Sequence, residues 1–544
     1  MEKRLKIGLL LDSYTVPRWQ FTTIERLQKS SYIDDILIIL QNNKEKKANS
    51  NGKNWKFLLY NLYSRLDRKL FDVDPNGLKQ ENFKDLINTK KVLSLNNTKS
   101  DQKGLDKIKK YNPDVLIKFG SQLQNRELAK MANYGIWYYS ESIGNSNGKI
   151  DKNFWEVMNN SEATSIALKI QTEAEERGKI LFQSKFPTDK RSVYRNQNTY
   201  WWRAVSILLS KLEELYKIGG DKFLKKLENK NGSDNYEYTN LSNGQQISNW
   251  KISKLLASQF FKYLKDKLNK SLFIEQWFLL FGIDNKRKSN FSEFKKILPP
   301  GNKFYADPFA VKEKDRYYIF LEDFIYQTNK GHISVIEVDH DGNYKEPVKV
   351  IDRPYHLAYP FIFKYKGDYY MIPDSRSNRT IELYKCEKFP YDWQFLMNLM
   401  EDVEAVDTTL YYHHDYWWLF TNIKNEFGNS SYDELYLFYS RNPFTKEWQA
   451  HPANPVVSDV NRSRPAGRIF KKDDKIIRPS QICTPSYGYG INFNEIKVLN
   501  KYEYEETIVK SIEPKWSKQL NGVHTYNKSG NMTVIDGMIK KRRL

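Results

Sequence analysis

Three arginines, Arg464, Arg468 and Arg478, stand among prolines, a glycine and apolar residues in "SRPAGRIFKKDDKIIRPSQ" (463–481). Pro465 and Pro479 restrict the backbone beside two of them. A planar guanidinium grips phosphate or carboxylate with two parallel donors. Four other segments share this layout: "ADPFAVKEKDRYYIFLED" (306–323), "AYPFIFKYKGDYYMIPDS" (358–375), "VDTTLYYHHDYWWLFTN" (406–422) and "GVHTYNKSGNMTVIDG" (522–537). Aligned, they put Asp307, Tyr359, Asp407, Arg464 and His524 at one position, and Glu322, Asp374, Asn422, Gln481 and Asp536 at a second. Paired carboxylates can take a proton from a hydroxyl or give one to a leaving oxygen, and an imidazole can relay it. The candidate catalytic residues are therefore Asp307, Asp407, Asp374 and His524. The candidate substrate-binding residues are Arg464, Arg468, Arg478, Gln481, Tyr359 and Glu322. Each also has a plainer use. Asp before Pro or Thr shapes turns, Arg468 can latch a neighbouring blade, and a lone histidine is often satisfied structure.

The elements that must position these residues follow from the same repeats. Each segment reads as a strand, a tight turn and a second strand, the signature of a hairpin. The copies recur about every 48–60 residues, the size of a four-stranded blade. Five copies predict a five-bladed β-propeller over 274–540, in which equivalent positions meet around one axis. Upstream, "KIGLLLD" (6–12), "IDDILIILQ" (33–41), "VLSLN" (92–96) and "PDVLIKFG" (113–120) alternate with helical or polar stretches. That pattern predicts an α/β Rossmann-like domain over 1–190. Between the two lies a helical connector, 191–273, with a polar loop at 230–248. Within it, Ile252, Leu255, Leu256, Phe260, Tyr263, Leu264 and Leu268 share one helical face opposite lysines. Such a stripe docks onto its own domain or lies on an anionic membrane surface.

Bulk properties narrow the class. The chain has 544 residues and only two cysteines, without metal or disulfide spacing, which points to a reducing, cytoplasmic compartment, peripheral to the inner face of the membrane if the basic helix lies there. The net charge of +21 is concentrated in residues 1–300, where 53 basic against 33 acidic residues give +20. Such a field attracts anionic partners. The lysines are scattered and no nucleic-acid motif accompanies them, so nucleic acid is set aside. No cofactor motif or metal site is read.

The motifs "FYADPF", "YPFIFKYKGDYYMIPDS", "VDTTLYYHHDYWWLF", "RPAGRIF", "RPSQ", "YGYGI" and "GVHT" resemble the five-bladed propeller of the glycoside hydrolase family 43 type. More closely, they resemble the propeller of the plant glucosamine inositolphosphorylceramide transferases and their bacterial relatives, over roughly 275–540. The resemblance implies a carbohydrate context, with Asp307 at a first-blade base position and Asp407 at a third-blade orienting position. Where a fourth-blade acid would stand, the chain offers arginines, which cannot donate a proton at neutral pH. Residues 135–160 and 173–189 resemble the formyltransferase family, but Tyr138, Ser140 and Glu176 occupy the positions of its Asn, His and Asp. The resemblance thus implies that family's fold without its chemistry.

The expectation is a carbohydrate-active protein of cell-surface glycan or polysaccharide biosynthesis, glycosyltransferase-like. It transfers or binds an anionic activated sugar in the propeller funnel. Its partners would be a nucleotide sugar, a sugar phosphate or an acidic glycan. The alternatives are a non-catalytic glycan-binding scaffold and, second, an amino-sugar formyltransferase.

Overall fold

The computed structural model describes residues 3–41, 58–86, 91–95, 102–119, 126–139, 153–173, 178–229, 248–283, 291–425 and 428–543. Ser140, Glu176 and most of the 230–248 loop lie outside these residues. The chain forms two compact units, Met1–Tyr263 and Leu264–Leu544.

The first unit is built on seven strands: β1 (Leu5–Leu11), β2 (Ile33–Gln41), β3 (Val92–Leu95), β4 (Val115–Lys118), β5 (Ile136–Tyr139), β6 (Ala163–Gln171) and β7 (Lys179–Pro187). Their spatial order is β3-β2-β1-β4-β5-β6-β7. The first five are parallel, and β6 and β7 add antiparallel at one edge. The central runs are apolar on both faces, as a covered parallel sheet requires; Ile7, Leu9 and Val115 are completely buried. Helix α1 (Arg18–Lys29) buries Trp19, Ile24 and Leu27. The ring of Trp19 stacks on Trp201 of α3 (Val193–Ile218), with centroids 4.4 Å apart. Although the sequence places it in a connector, α3 is part of this unit's core: Leu208 and Leu212 have no exposed surface. Tyr60 and Tyr63 of helix α2 (Leu58–Leu70) share a buried apolar cluster with Phe154 and Trp155 and with Ile252 and Leu255 of α4 (Asn249–Leu272).

The second unit is a five-bladed propeller. Blades 1 to 4 are four-stranded sheets that begin with Lys303–Glu313, Ala358–Tyr365, Ala405–His413 and Phe470–Lys472. Blade 5 joins both ends of the unit. Its strand Phe273–Ile283 pairs antiparallel with Met532–Arg542 in an eleven-pair register, from Phe273 opposite Arg542 to Ile283 opposite Met532. Leu520–Gly522 and Tyr526–Ser529 complete its inner side and Lys295–Ile297 its outer side. This closure leaves the ring no free sheet edge between its first and last blades.

The same irregularity recurs on three inner strands. Ala306 faces Glu322 but Phe309 faces Phe320, so Asp307 and Pro308 stand opposite one residue. Blade 2 repeats this at Tyr359–Pro360 and blade 3 at Asp407–Thr408. At each bulge the first residue has a left-handed backbone: φ is 51° at Asp307, 42° at Tyr359 and 53° at Asp407. Bulges of this kind re-aim a side chain, and a non-glycine residue is held there only by surrounding structure that outweighs the strain.

Ring closure makes blade 5 a determinant of stability. Leu279, fully buried in the joining strand, should lose about 2–5 kcal/mol on Leu279→Ala. Deleting 532–544 should abolish the propeller's cooperative transition in calorimetry.

Candidate functional site

The five aligned positions converge, and the structure sorts them into roles. Asp307, on the blade 1 bulge, is 4% exposed and accepts a 2.6 Å hydrogen bond from Thr525 Oγ1 of blade 5. His524 Nε2 lies 3.6 Å from Asp307 Oδ1, while its Nδ1 lies 2.5 Å from Asp536 Oδ2. Asp536, with no exposed surface, also accepts the backbone N–H groups of His524 (2.8 Å), Thr525 (3.0 Å) and Asp307 (3.1 Å). The imidazole stacks on Trp277 at a centroid distance of 4.1 Å. An Asp–His–Asp row is thus fixed from three sides. Its three ligand-capable atoms lie within 4.8 Å of one another, a spacing that suits a shared proton or a bound cation.

Asp407, on the blade 3 bulge, is 1% exposed and holds Arg464 through two hydrogen bonds, Nε to Oδ2 at 2.5 Å and Nη2 to Oδ1 at 3.3 Å. Gln481 Nε2 donates to the same carboxylate at 3.2 Å and to Pro465 O at 3.1 Å. The guanidinium carbon of Arg464 sits 4.8 Å from the centroid of the Tyr487 ring. Tyr487, 40% exposed, is where this side of the cluster meets solvent.

Glu322 and Asp374, at the second aligned position, extend the acidic cluster. His356 accepts the Gly331 N–H at Nδ1 (2.9 Å), which leaves the proton on Nε2, 3.4 Å from Glu322 Oε1. Asp374 Oδ1 accepts the Arg376 N–H at 2.9 Å.

The protonation pattern follows from burial and crowding. Burial lifts Glu322 well above the usual carboxylate range, and Asp307, Asp374 and Asp407 lift it further, against the pull of Arg464. Burial likewise raises Asp407, to about 7; Arg464 opposes the shift, and Asp307 and Asp374 reinforce it. Asp307 is raised by burial and by Asp536, with His524 opposing. For His524, burial alone would lower the pKa, but Asp536 and Asp307 outweigh it and the net direction is up. These mutual electrostatic effects place Asp307, Glu322, Asp374, Asp407 and Arg464 in one cluster. In it Glu322 is pushed toward its protonated form, and His524, pulled toward its charged form by Asp536 and Asp307, faces Asp307.

The remaining predicted residues lie elsewhere or are otherwise committed. Arg478 is buried and donates to both oxygens of Glu506 (Nε 2.8 Å, Nη2 2.7 Å) and to Arg462 O at 2.6 Å. It therefore pins blade 4 internally instead of facing the axis. Tyr359 is fully buried, and its hydroxyl accepts the Gly467 N–H at 2.8 Å and pairs with Thr409 Oγ1 at 3.0 Å. It ties blades 2, 3 and 4 together. Arg468 donates from Nη2 to Ile362 O at 2.8 Å, a latch from blade 4 to blade 2. Trp277, Asp536, Thr525, Tyr487 and His356 are the contributors that the sequence reading left out. Asp536 stood in the alignment and Thr525 in "GVHT", whereas nothing ties Trp277 to the repeats. In the first unit, Tyr138 is half-buried on β5.

Residues 295–533 match the family model described as glucosamine inositolphosphorylceramide transferase 1, N-terminal. Curated relatives with that name include the Oryza sativa subsp. japonica protein, 33% identical over 213 residues, 39% of this chain and 28% of the relative. The Arabidopsis thaliana protein is 32% identical over 234 residues, 42% of this chain and 30% of the relative. The chain thus spans less than a third of the length of these relatives. Among solved structures, Zg3597, a family 117 glycoside hydrolase of Zobellia galactanivorans, aligns over 50% of this chain and 92% of its own. Its 13% identity and TM-score of 0.33 are too low to bear on function.

Two outcomes follow from these placements. Arg478→Leu strands a buried Glu506 charge and should cost about 3–5 kcal/mol in denaturant unfolding; Glu506→Gln in the same chain should restore part of it. In an infrared titration the Glu322 carboxyl C=O band, identified by its loss in Glu322→Gln, should persist to higher pH than that of an ordinary glutamic acid.

Proposed function

We propose that the second unit is a sugar-transferring module and that donor and acceptor meet at the axial acidic cluster. The observation that carries this reading is the convergence of buried acids with fixed partners: Asp307 held by Thr525 and facing His524, Asp407 held by Arg464, and Glu322, whose proton affinity burial raises. Proton transfer near neutral pH works best with groups tuned in this way. The acceptor hydroxyl would give its proton to Asp307 as its oxygen bonds to the anomeric carbon. The bond from that carbon to the leaving oxygen breaks, and its electron pair stays on the oxygen. Glu322 would protonate that oxygen where it leaves as an alkoxide; a phosphate would leave as it stands. His524, between Asp307 and Asp536, would steady the Asp307 carboxylate before it takes the proton and stay paired with Asp536 afterwards.

The donor's chemistry follows from the same groups. Carboxylates accept hydrogen bonds from sugar hydroxyls. Arg464 is the one arginine of the cluster at the solvent edge, so it suits a single anionic group, such as one phosphate of a nucleotide sugar or sugar phosphate, or the carboxylate of an acidic glycan. That is a narrower grip than three arginines would give. Relatives named as transferases support the reading. A second reading, glycan binding without turnover, draws on the depth of burial: at 4% and 1% exposure, Asp307 and Asp407 are also well placed to be purely structural.

A transfer assay separates the two. The full chain, given nucleotide sugars with glycan and lipid-linked acceptors, should form product detectable by mass spectrometry. Asp307→Asn should slow it roughly 10²–10⁴-fold without lowering the melting temperature. Binding without product across the donor panel would favour the second reading. Product formed equally by Asp307→Asn would remove Asp307 from the chemistry.

A further inference from the structure

Among the described residues, 24 large apolar side chains are exposed, and 12 of them sit on the two helices α2 and α4. They are ordered. On α2, Leu58, Leu62, Leu66 and Leu70 repeat every four residues and are 53%, 52%, 42% and 71% exposed. On α4, Leu256, Phe260, Leu264, Leu268 and Leu272 repeat in the same way, with Phe260 59% and Leu268 60% exposed. Residues four apart lie on one side of a helix, so each helix carries an apolar stripe that nothing among the described residues covers. The docking expected of α4 is realised in its first turns, where Ile252 and Leu255 are buried in one apolar cluster with Tyr60 and Tyr63 of α2 and with Phe154 and Trp155. The N–H of Leu59 also donates to Asn249 Oδ1 at 3.4 Å, so the two helices touch at these ends. Beyond Leu255 the stripe continues unpartnered.

We infer that α2 and α4 form a membrane-surface binding element and that the occupant of the stripes is the interface of an anionic lipid bilayer. The charge around the stripes selects this partner. The two helices hold nine basic residues, among them Arg65, Arg68, Lys262 and Lys265, against only Asp67 and Asp266. A second copy of the chain would bring these like charges face to face, which weakens association, whereas anionic headgroups are attracted by each of them. The surplus extends beyond the helices, since residues 1–300 carry +20 of the chain's +21. No helix of the described residues is long and apolar enough to cross a membrane. A basic helix with a broad apolar face lies instead in the plane of the interface, its apolar side sunk to the acyl boundary. The 24 residues of α4 give such a helix a length of about 36 Å.

The inference stands apart from the sugar chemistry, since it can hold for a transferase or for a binding protein. Its test is flotation of the full chain with vesicles of equimolar phosphatidylglycerol and phosphatidylcholine, and with phosphatidylcholine alone. The protein should float with the anionic vesicles at least tenfold more strongly than with the neutral ones, and added salt should weaken that binding. The triple change Phe260→Ser, Leu264→Ser, Leu268→Ser should weaken it at least tenfold, as should Leu62→Ser with Leu66→Ser. All five positions are exposed, so the melting of both units should be unchanged. Failure to float with anionic vesicles would overturn the inference, and so would equal flotation of the triple variant. A dimer in sedimentation equilibrium that the triple variant abolishes would assign the stripes to a second copy and overturn it too.

Discussion

Burying several carboxylates within reach of one another is costly, and the architecture of the second unit is organised around making that cost tolerable. An isolated buried carboxylate is strongly disfavoured, and neighbours of like charge add to the penalty. Here the penalty is met by neutralisation of two kinds. Asp407 faces Arg464, and Asp307 and Asp536 enclose His524. Glu322, with an imidazole edge as its near partner, is pushed toward its neutral form. The arrangement works only if all five blades deliver their members to one place, which binds the chemistry of the cluster to the geometry of the ring.

The backbone carries that requirement. The left-handed residues at Asp307, Tyr359 and Asp407 are strained, and they persist because hydrogen bonds across the axis hold them. Asp307 N–H donates to Asp536, Tyr359 OH accepts from Gly467, and Asn527 bridges Pro308 O to the Arg468 N–H. Gly467 itself has φ 128°, and a Cβ there would lie 2.0 Å from Tyr526 O. Blades 4 and 5 therefore meet over a glycine that a side chain would separate. The closing strand at 273–283 contributes in the same way by bringing Trp277 under His524.

Much of this was legible in the sequence, and the omissions have physical causes. The five hairpins were visible because strand, turn and strand alternate in composition, and the aligned positions named the axial residues because rotational symmetry makes equivalent residues neighbours. Arg478 misled because its rigid setting, beside Pro479, looks the same whether the guanidinium faces a ligand or Glu506. Side chains alternate along a strand, so Arg478 and Gln481, three residues apart, point to opposite faces; Gln481 reaches Asp407 and Arg478 does not. Tyr359 shares the alignment position of Asp307 and Asp407, but its longer side chain crosses to Gly467 and is spent there. Trp277 lies outside every repeat and reaches the axis only through ring closure, for which a local pattern has no signal. For α4, the periodicity marked the apolar face, but its fate depended on how much partner surface α2 could offer.

The central claim is that the charge on Asp307 helps to hold the proton on Asp407. Carbon-13 NMR of the full chain labelled at aspartate Cγ measures this most directly, with resonances assigned by substitution. Asp407 should titrate near about 7, and its midpoint should fall in the Asp307→Asn variant, because the Asp307 charge helps to raise it. A midpoint in the ordinary carboxylate range, near about 4, that ignores the loss of Asp307 would contradict the account.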